Sequence, residues 1–162
     1  MAARKAYKLI QTGSQAPDFQ LPLVQGGDRS LKQLLTRSRV LLAFFKITCP
    51  VCQLAFPFLE RIHASGNLSI YGVSQNDPAD TEDFNREFGV TFPTLLDSED
   101  RGFPVSNDYG IGIVPTLFLV EPSGAVALVS EGWTKKDIAW LGTQAGVNVF
   151  RQDDDVPEWK AG

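Results

Sequence analysis

Apolar runs separated by polar turn residues divide the chain into alternating strand-like and helix-like segments. Six consecutive apolar residues, Val40–Phe45, and the mostly apolar segment 68–74 are typical of strands that are buried on both faces. Between them, from Cys49 to Gly66, apolar residues recur at three- and four-residue spacing. This spacing predicts a helix that directly follows the first of the two strands.

The second half of the chain continues the alternation. Asp77 and Pro78 give the start signals of another helix, which is expected to end at Gly89. Residues 92–97 are predicted to be short and extended, and residues 104–111 to form a small helix. Residues 115–120 and 125–133 predict a β-hairpin around a Pro-Ser-Gly turn. A last helix is expected to begin at Thr134.

A separate hairpin is predicted near the start of the chain, with its turn at Gly26 and Gly27 and a short helix over residues 31–35. The whole order is therefore β-α-β-α-β-β-α behind an N-terminal β-hairpin extension. Such alternation predicts an α/β fold with a central mixed sheet flanked by helices, and with antiparallel strands at one edge. Sites in these sheets form at the carboxyl ends of strands, where Cys49 is expected.

Length and charge narrow the class of protein. A chain of 162 residues suits one domain, which we assign to residues 1–150, and the acidic residues 151–162 are expected to form a flexible tail. The net charge of −4 argues against a nucleic-acid partner, and no apolar run is long enough to span a membrane. No export signal is recognised, so a cytoplasmic protein is expected, or an exported one if a leader has been trimmed. The protein is expected to be a monomer.

The two cysteines of the chain, Cys49 and Cys52, lie at the predicted start of the first long helix. With Pro50 as the first helical residue, Cys49 is the N-cap, where free N–H groups and the helix dipole favour a thiolate. This arrangement predicts thiol-disulfide exchange, in which Cys49 attacks and Cys52 releases the product. A structural disulfide, two inert thiols and a zinc site remain as alternatives, although zinc needs further ligands and the chain has one histidine.

Residues 14–145 resemble the TlpA-type and ResA-type thiol-disulfide oxidoreductases of the thioredoxin-like superfamily, which also contains the peroxiredoxins. The most specific marks are Cys-Pro-Val-Cys at 49–52 and Val-Pro-Thr at 114–116. The resemblance implies a cis bond before Pro115 and a Val114 backbone that pairs with an extended substrate segment. The residues implied to bind substrate are Pro50, Val51, Val114, Pro115 and Thr116.

The resemblance also implies which partners and redox group the protein uses. The redox group is expected to be the Cys49–Cys52 disulfide itself, with no other cofactor and no metal. A protein or small-molecule disulfide is the expected substrate, and an upstream thiol donor is expected to reduce the pair again.

The chain departs from these families at several positions. Ala43 and Ala55 stand where relatives carry carboxylates that accept the proton of the second cysteine, and Thr48 replaces a common tryptophan. Lys46 is an unusual addition. Its charge either favours the thiolate form of Cys49, or orients an acidic partner, or is merely solvated while its stem covers the strand end. Lys46 and Thr48 are therefore candidate modulators of the site.

Two other functions stay open at this level. A peroxiredoxin-like peroxidase requires Pro-x-x-x-Thr-x-x-Cys, but Leu42 and Lys46 occupy the proline and threonine positions here. A non-catalytic module that grips extended peptides beside Pro115 is the other alternative. Loss of disulfide reduction in Cys49→Ser separates that module from an enzyme.

Overall fold

The computed structural model describes residues 7–162, so the first six residues of the predicted 1–150 domain lie outside the described part of the chain. The strands are β1 (Gln20–Pro22), β2 (Asp28–Ser30), β3 (Val40–Phe45), β4 (Ser69–Ser74), β5 (Thr94–Leu96), β6 (Thr116–Val120), β7 (Val126–Glu131), β8 (Trp133–Thr134) and β9 (Trp159–Lys160). The helices are α1 (Leu31–Leu34), α2 (Pro50–His63), α3 (Pro78–Glu87), α4 (Pro104–Tyr109) and α5 (Lys135–Gln144), with a 3-10 turn at Glu99–Arg101.

The central sheet has the strand order β5-β4-β3-β6-β7. Strand β3 pairs in parallel with β4, and β4 with β5, whereas β6 is antiparallel to both β3 and β7. The predicted mixed sheet with flanking helices and an N-terminal hairpin, β1–β2, is confirmed. The antiparallel strands that were expected at one edge of the sheet are β6 and β7. Only β7 is an edge strand, because β6 lies between β3 and β7.

Strand β3 is apolar throughout because each of its faces is covered. Leu41, Ala43 and Phe45 face one hydrophobic cluster with α2, α3 and α5. Val40, Leu42 and Phe44 face a second cluster, which contains residues of α1, α4 and the N-terminal hairpin. All six side chains are 0% exposed, so β3 is held from both sides and its carboxyl end is a fixed point for the residues that follow.

The segment 151–162 is not the frayed tail that its acidic composition suggested. Arg61 of α2 pairs with Asp154 at 2.7 Å and also donates to the carbonyl of Val149 at 3.0 Å. Strand β9, inside this segment, pairs antiparallel with β8. The expectation was wrong because composition alone does not show a cation and a strand that lie far away in the sequence. Among residues 7–162, no helix combines the length and the apolar character needed to cross a bilayer.

Candidate active site

Cys49 caps the N-terminus of α2, as its place before Pro50 predicts. It has an extended backbone (φ −85°, ψ 113°), and its sulfur accepts a hydrogen bond from the Cys52 N–H at 3.2 Å. Its thiol donates to the carbonyl oxygen of Val114 at 3.3 Å. The sulfur therefore lies between the positive end of a helix and a backbone acceptor from another segment. It is partly exposed and able to meet a reactant.

Cys52 lies one helical turn deeper and is 0% exposed. It belongs to the hydrophobic cluster on the α2 face of the sheet, and it is not bonded to Cys49. Burial raises the pKa of the Cys52 thiol strongly, and its hydrogen bond with Cys49 adds to the rise. The reduced pair therefore combines one accessible sulfur with one buried, protonated thiol.

The second predicted mark of the site, Val114-Pro115-Thr116, lies directly beside Cys49. The Val114–Pro115 peptide bond is cis, as the resemblance implied. The Val114 carbonyl accepts the Cys49 thiol, whereas the Val114 N–H has no hydrogen-bond partner among residues 7–162. A backbone N–H without a partner is a position at which an extended segment of another chain can pair.

The predicted substrate-binding residues are not equally accessible. Pro50 and Val114 line an open groove of about 480 Å³ next to Cys49. Val51 is 6% exposed and packs in the core, and Thr116 is 0% exposed with its hydroxyl donating to the Ile113 carbonyl at 2.8 Å. Pro115 is buried too. These three residues support the walls of the groove instead of lining it.

The two candidate modulators also differ in position. Lys46 lines the groove together with Cys49, while Thr48 is exposed and lies outside the lining. Leu42, at the peroxiredoxin proline position, is 0% exposed inside β3. Ala43 and Ala55, at 0% and 1% exposure, bring no carboxylate to the buried side of the cysteine pair.

Two hydrogen bonds hold the short loop between β3 and Cys49, one to the N–H and one to the carbonyl of Ile47. The Ile47 N–H donates to Asn76 Oδ1 at 3.0 Å, and Gln53 Nε2 donates to the Ile47 carbonyl at 3.0 Å. Asn76 follows the carboxyl end of β4, the strand parallel to β3. Sequence reasoning missed both amides, although a polar residue just past a buried strand is a usable signal for a site.

The far wall of the groove comes from the start of α4 and was not predicted. Phe103 lines it with a left-handed backbone (φ 53°, ψ 51°), and it gives α4 no side-chain cap. The buried Asp97 takes that role, accepting from the N–H groups of Val105 at 3.1 Å and Ser106 at 2.6 Å. Gln75 donates to the Ser106 hydroxyl at 2.9 Å, which joins this wall to the end of β4.

No group of three or more His, Cys, Asp or Glu side chains within residues 7–162 is arranged to hold a metal ion. The groove presents the partly exposed Cys49 thiol and a Val114 N–H that has no partner within the described part of the chain, and the buried Cys52 thiol lies behind them. On a sheet of this topology, these features define a thiol-disulfide oxidoreductase.

Comparison with known proteins agrees with that class. The family model of the AhpC/TSA family matches residues 12–129, and the chain belongs to this family. The chain is 33% identical over 134 residues to the thiol-disulfide oxidoreductase ResA of Geobacillus thermodenitrificans, which covers 80% of this chain and 75% of that protein. It is 29% identical to the thioredoxin-like protein YneN of Bacillus subtilis, covering 80% of this chain and 77% of that one.

Solved structures show the same fold. A putative thiol:disulfide interchange protein DsbE from Chlorobium tepidum has a TM-score of 0.71 and 27% identity, and the match covers 87% of this chain and 99% of that chain. The thioredoxin domain of a thiol-disulfide oxidoreductase from Bacteroides vulgatus has a TM-score of 0.71 and 25% identity, covering 86% and 99%.

Proposed function

We propose that the protein reduces or exchanges disulfides of protein substrates through Cys49 and Cys52, and that this pair is its redox group. The observation that carries the proposal is the contrast within the pair. One sulfur is partly exposed at a helix start beside a groove, and the other is 0% exposed directly beneath it. Such an arrangement separates the sulfur that attacks from the sulfur that resolves.

The first step is attack by the Cys49 thiolate on one sulfur of the substrate disulfide. A bond forms between Cys49 and that sulfur, the substrate disulfide breaks, and the other substrate sulfur leaves as a thiolate that takes up a proton. The Cys52 N–H, at 3.2 Å from the Cys49 sulfur, stabilises negative charge on it before the attack.

The second step is attack by Cys52 on the Cys49 sulfur. The mixed disulfide breaks, the second substrate sulfur leaves, and a Cys49–Cys52 disulfide forms, so two electrons pass to the substrate. Because burial raises the pKa of Cys52, its proton is removed only as this step proceeds. A thiol donor then reduces the Cys49–Cys52 disulfide.

A protein substrate is favoured over a small one by the backbone of Val114. Its N–H, which has no partner among residues 7–162, and its half-buried position beside Cys49 suit an extended peptide segment that pairs with Val114 and presents its disulfide to the groove. Reduction is the expected direction in a reducing compartment, and disulfide exchange in an oxidising one, since the compartment sets the supply of electrons.

The test is reduction of a protein disulfide with a dithiol as electron donor, measured for the parent protein, Cys49→Ser and Cys52→Ser. Cys49→Ser is expected to fall to the uncatalysed rate. Cys52→Ser is expected to accumulate a mixed disulfide on Cys49 that mass spectrometry detects. If Cys49→Ser reduces the substrate at the parental rate, the proposal is wrong.

A further inference from the structure

Residues 157–162 run along β8 and end at the candidate active site. The indole N–H of Trp133 donates to the Pro157 carbonyl at 2.6 Å, and the Lys135 N–H donates to the Glu158 carbonyl at 3.0 Å. Trp159 and Lys160 then pair antiparallel with Thr134 and Trp133. The segment then continues to Gly162, which lies next to Val114.

The last residues of this segment, 159–162, are here called the strap. They lie against Gly132 and against Val114, the residue whose carbonyl contacts Cys49. The Gly132 N–H donates to the Pro115 carbonyl at 2.8 Å, which holds Gly132 next to the residue that follows Val114. A methyl group added to Gly132 would lie 2.6 Å from the Lys160 carbonyl oxygen and 3.0 Å from the Gly162 nitrogen. The strap therefore passes over a position where only a glycine leaves room for it.

At its end the strap meets Val114 itself. A methyl group added to Gly162 would lie 2.4 Å from the Val114 carbonyl oxygen, the same oxygen that accepts the Cys49 thiol. Gly162 also lines the groove with Cys49 and Pro50. One backbone carbonyl is thus in contact with the attacking thiol and with the strap.

Few contacts hold the strap in place. Its ladder with β8 is two residues long, and all four of its residues are exposed, Trp159 by 65%. The neighbouring Lys135–Glu158 ion pair has a distance of 3.7 Å, and the Glu158 side chain is 84% exposed. A short, exposed strand of this kind opens at low free-energy cost.

From these contacts we propose that the strap determines which substrates reach Cys49, because it lies against the carbonyl of Val114, the residue whose backbone is proposed to pair with an extended substrate segment. The inference rests on the proposed function. A protein segment displaces the strap when it pairs with Val114, so the strap is an internal competitor for such segments. A small disulfide enters the open groove and reaches Cys49 while the strap stays in place.

The experiment compares two mixed disulfides on Cys49 in the Cys52→Ser protein. One is made from a ten-residue peptide whose cysteine is activated as a thionitrobenzoate disulfide, and the other from the corresponding disulfide of 2-mercaptoethanol. In each case the Cys49 thiolate displaces thionitrobenzoate. Amide hydrogen exchange over residues 158–162 is then measured in both adducts. Faster exchange in the peptide adduct alone is expected.

A second measurement compares rates of adduct formation in Cys52→Ser with and without Gly162→Val. The valine collides with the Val114 carbonyl and so displaces the strap. A larger fraction of the protein molecules is then free to pair with the peptide, and peptide adduct formation is expected to be faster by at least about threefold. Because Gly162 also lines the groove, the rate with the 2-mercaptoethanol reagent is measured beside it, and the ratio of the peptide rate to this rate is expected to rise by the same factor. Lys160→Ala, which trims an exposed side chain and keeps the strap backbone, is the matched control.

The outcomes separate the two proposals. If both adducts form but exchange over residues 158–162 is equally slow in them, or Gly162→Val leaves the peptide rate unchanged, the strap is not a competitor. If neither reagent forms an adduct on Cys49, the proposed function itself fails and the inference about the strap fails with it.

Discussion

Two segments of the molecule meet at the carbonyl oxygen of Val114, and they are held in opposite ways. Residues 49–52 begin a 14-residue helix whose inner face lies in the larger hydrophobic cluster. The strap, residues 159–162, is exposed along its length and rests on a two-residue ladder. The Cys49 sulfur is thus fixed by the core, while the strap beside it opens at low free-energy cost. The contrast suits the proposed roles of Cys49 as a rigid nucleophile and of the strap as an adjustable entrance.

The largest difference expected from this contrast is between the two thiols. Under native conditions at neutral pH, iodoacetamide should label Cys49 roughly 100-fold faster than Cys52 or more, because labelling of Cys52 requires the core to open and its raised pKa keeps it protonated. Tandem mass spectrometry of the peptide that carries both residues measures the ratio. Comparable labelling of the two cysteines would show that Cys52 is not protected.

The second largest effect expected is a difference between α2 and the strap in how much a deleted side chain lowers the free energy of unfolding. Phe56 of α2 is 0% exposed and packs against Phe45, with ring centroids 4.4 Å apart, and against Phe84 at 5.6 Å. Phe56→Ala should lower the free energy of unfolding by about 3–5 kcal/mol. Trp159→Ala, a matched aromatic deletion in the strap, should cost less than about 1 kcal/mol because most of its surface is already in water. Urea unfolding tests both variants, and equal losses would contradict the contrast.

A smaller effect is expected from the anchor of the 151–162 segment. The guanidinium of Arg61 is the main cause that lowers the pKa of Asp154 to about 2. Since the folded pKa lies below the ordinary value, the ion pair contributes above pH 3.8 and is lost as the pH falls through about 2. Asp154→Asn should therefore speed amide exchange of Trp159 and Lys160 at neutral pH.

The parent protein provides the control for that variant. Its exchange over the strap, corrected for the intrinsic pH dependence of amides, should stay constant from neutral pH to about pH 4 and rise only below it. Exchange that is unaffected by Asp154→Asn would mean that the ion pair does not help to hold the strap.

The smallest effect concerns Lys46 on the groove side of Cys49. If its charge assists attack by Cys49, Lys46→Met should slow alkylation of Cys49 at neutral pH by less than about fivefold, because a solvated lysine contributes about 1 kcal/mol or less. Lys32→Met, on the exposed side of α1, is the matched control. An unchanged rate in Lys46→Met would leave this lysine with no part in the reaction of Cys49.

The parts of the site that could be predicted are those with local signals. A run of six apolar residues predicted β3, and Pro50 after Cys49 predicted the start of α2. The distance between the Cys-Pro-Val-Cys and Val-Pro-Thr motifs was interpretable only through the resemblance, since nothing local in Val114 indicates that it meets Cys49. The cis bond before Pro115 came from the same source.

The remaining parts depend on contacts between distant segments. The order of segment 151–162, which includes the strap, was missed because an acidic, proline-containing stretch is usually loose. The residues that hold this segment, Trp133, Thr134 and Arg61, lie earlier in the sequence. The groove wall at Phe103 was missed because its helix is capped by Asp97 from another element, not by its own preceding residue. Pairwise contacts of this kind leave no periodicity to detect.

Whether Cys49 and Cys52 form a redox-active pair is measured by equilibrating the protein in graded dithiol buffers and trapping free thiols with a mass tag. One two-electron transition between a dithiol and an intramolecular disulfide is expected. A midpoint below about −240 mV would mark a reductant, and one above about −180 mV an oxidant or isomerase. If no intramolecular disulfide forms at any potential, Cys49 and Cys52 are not a redox pair and the proposed function is wrong.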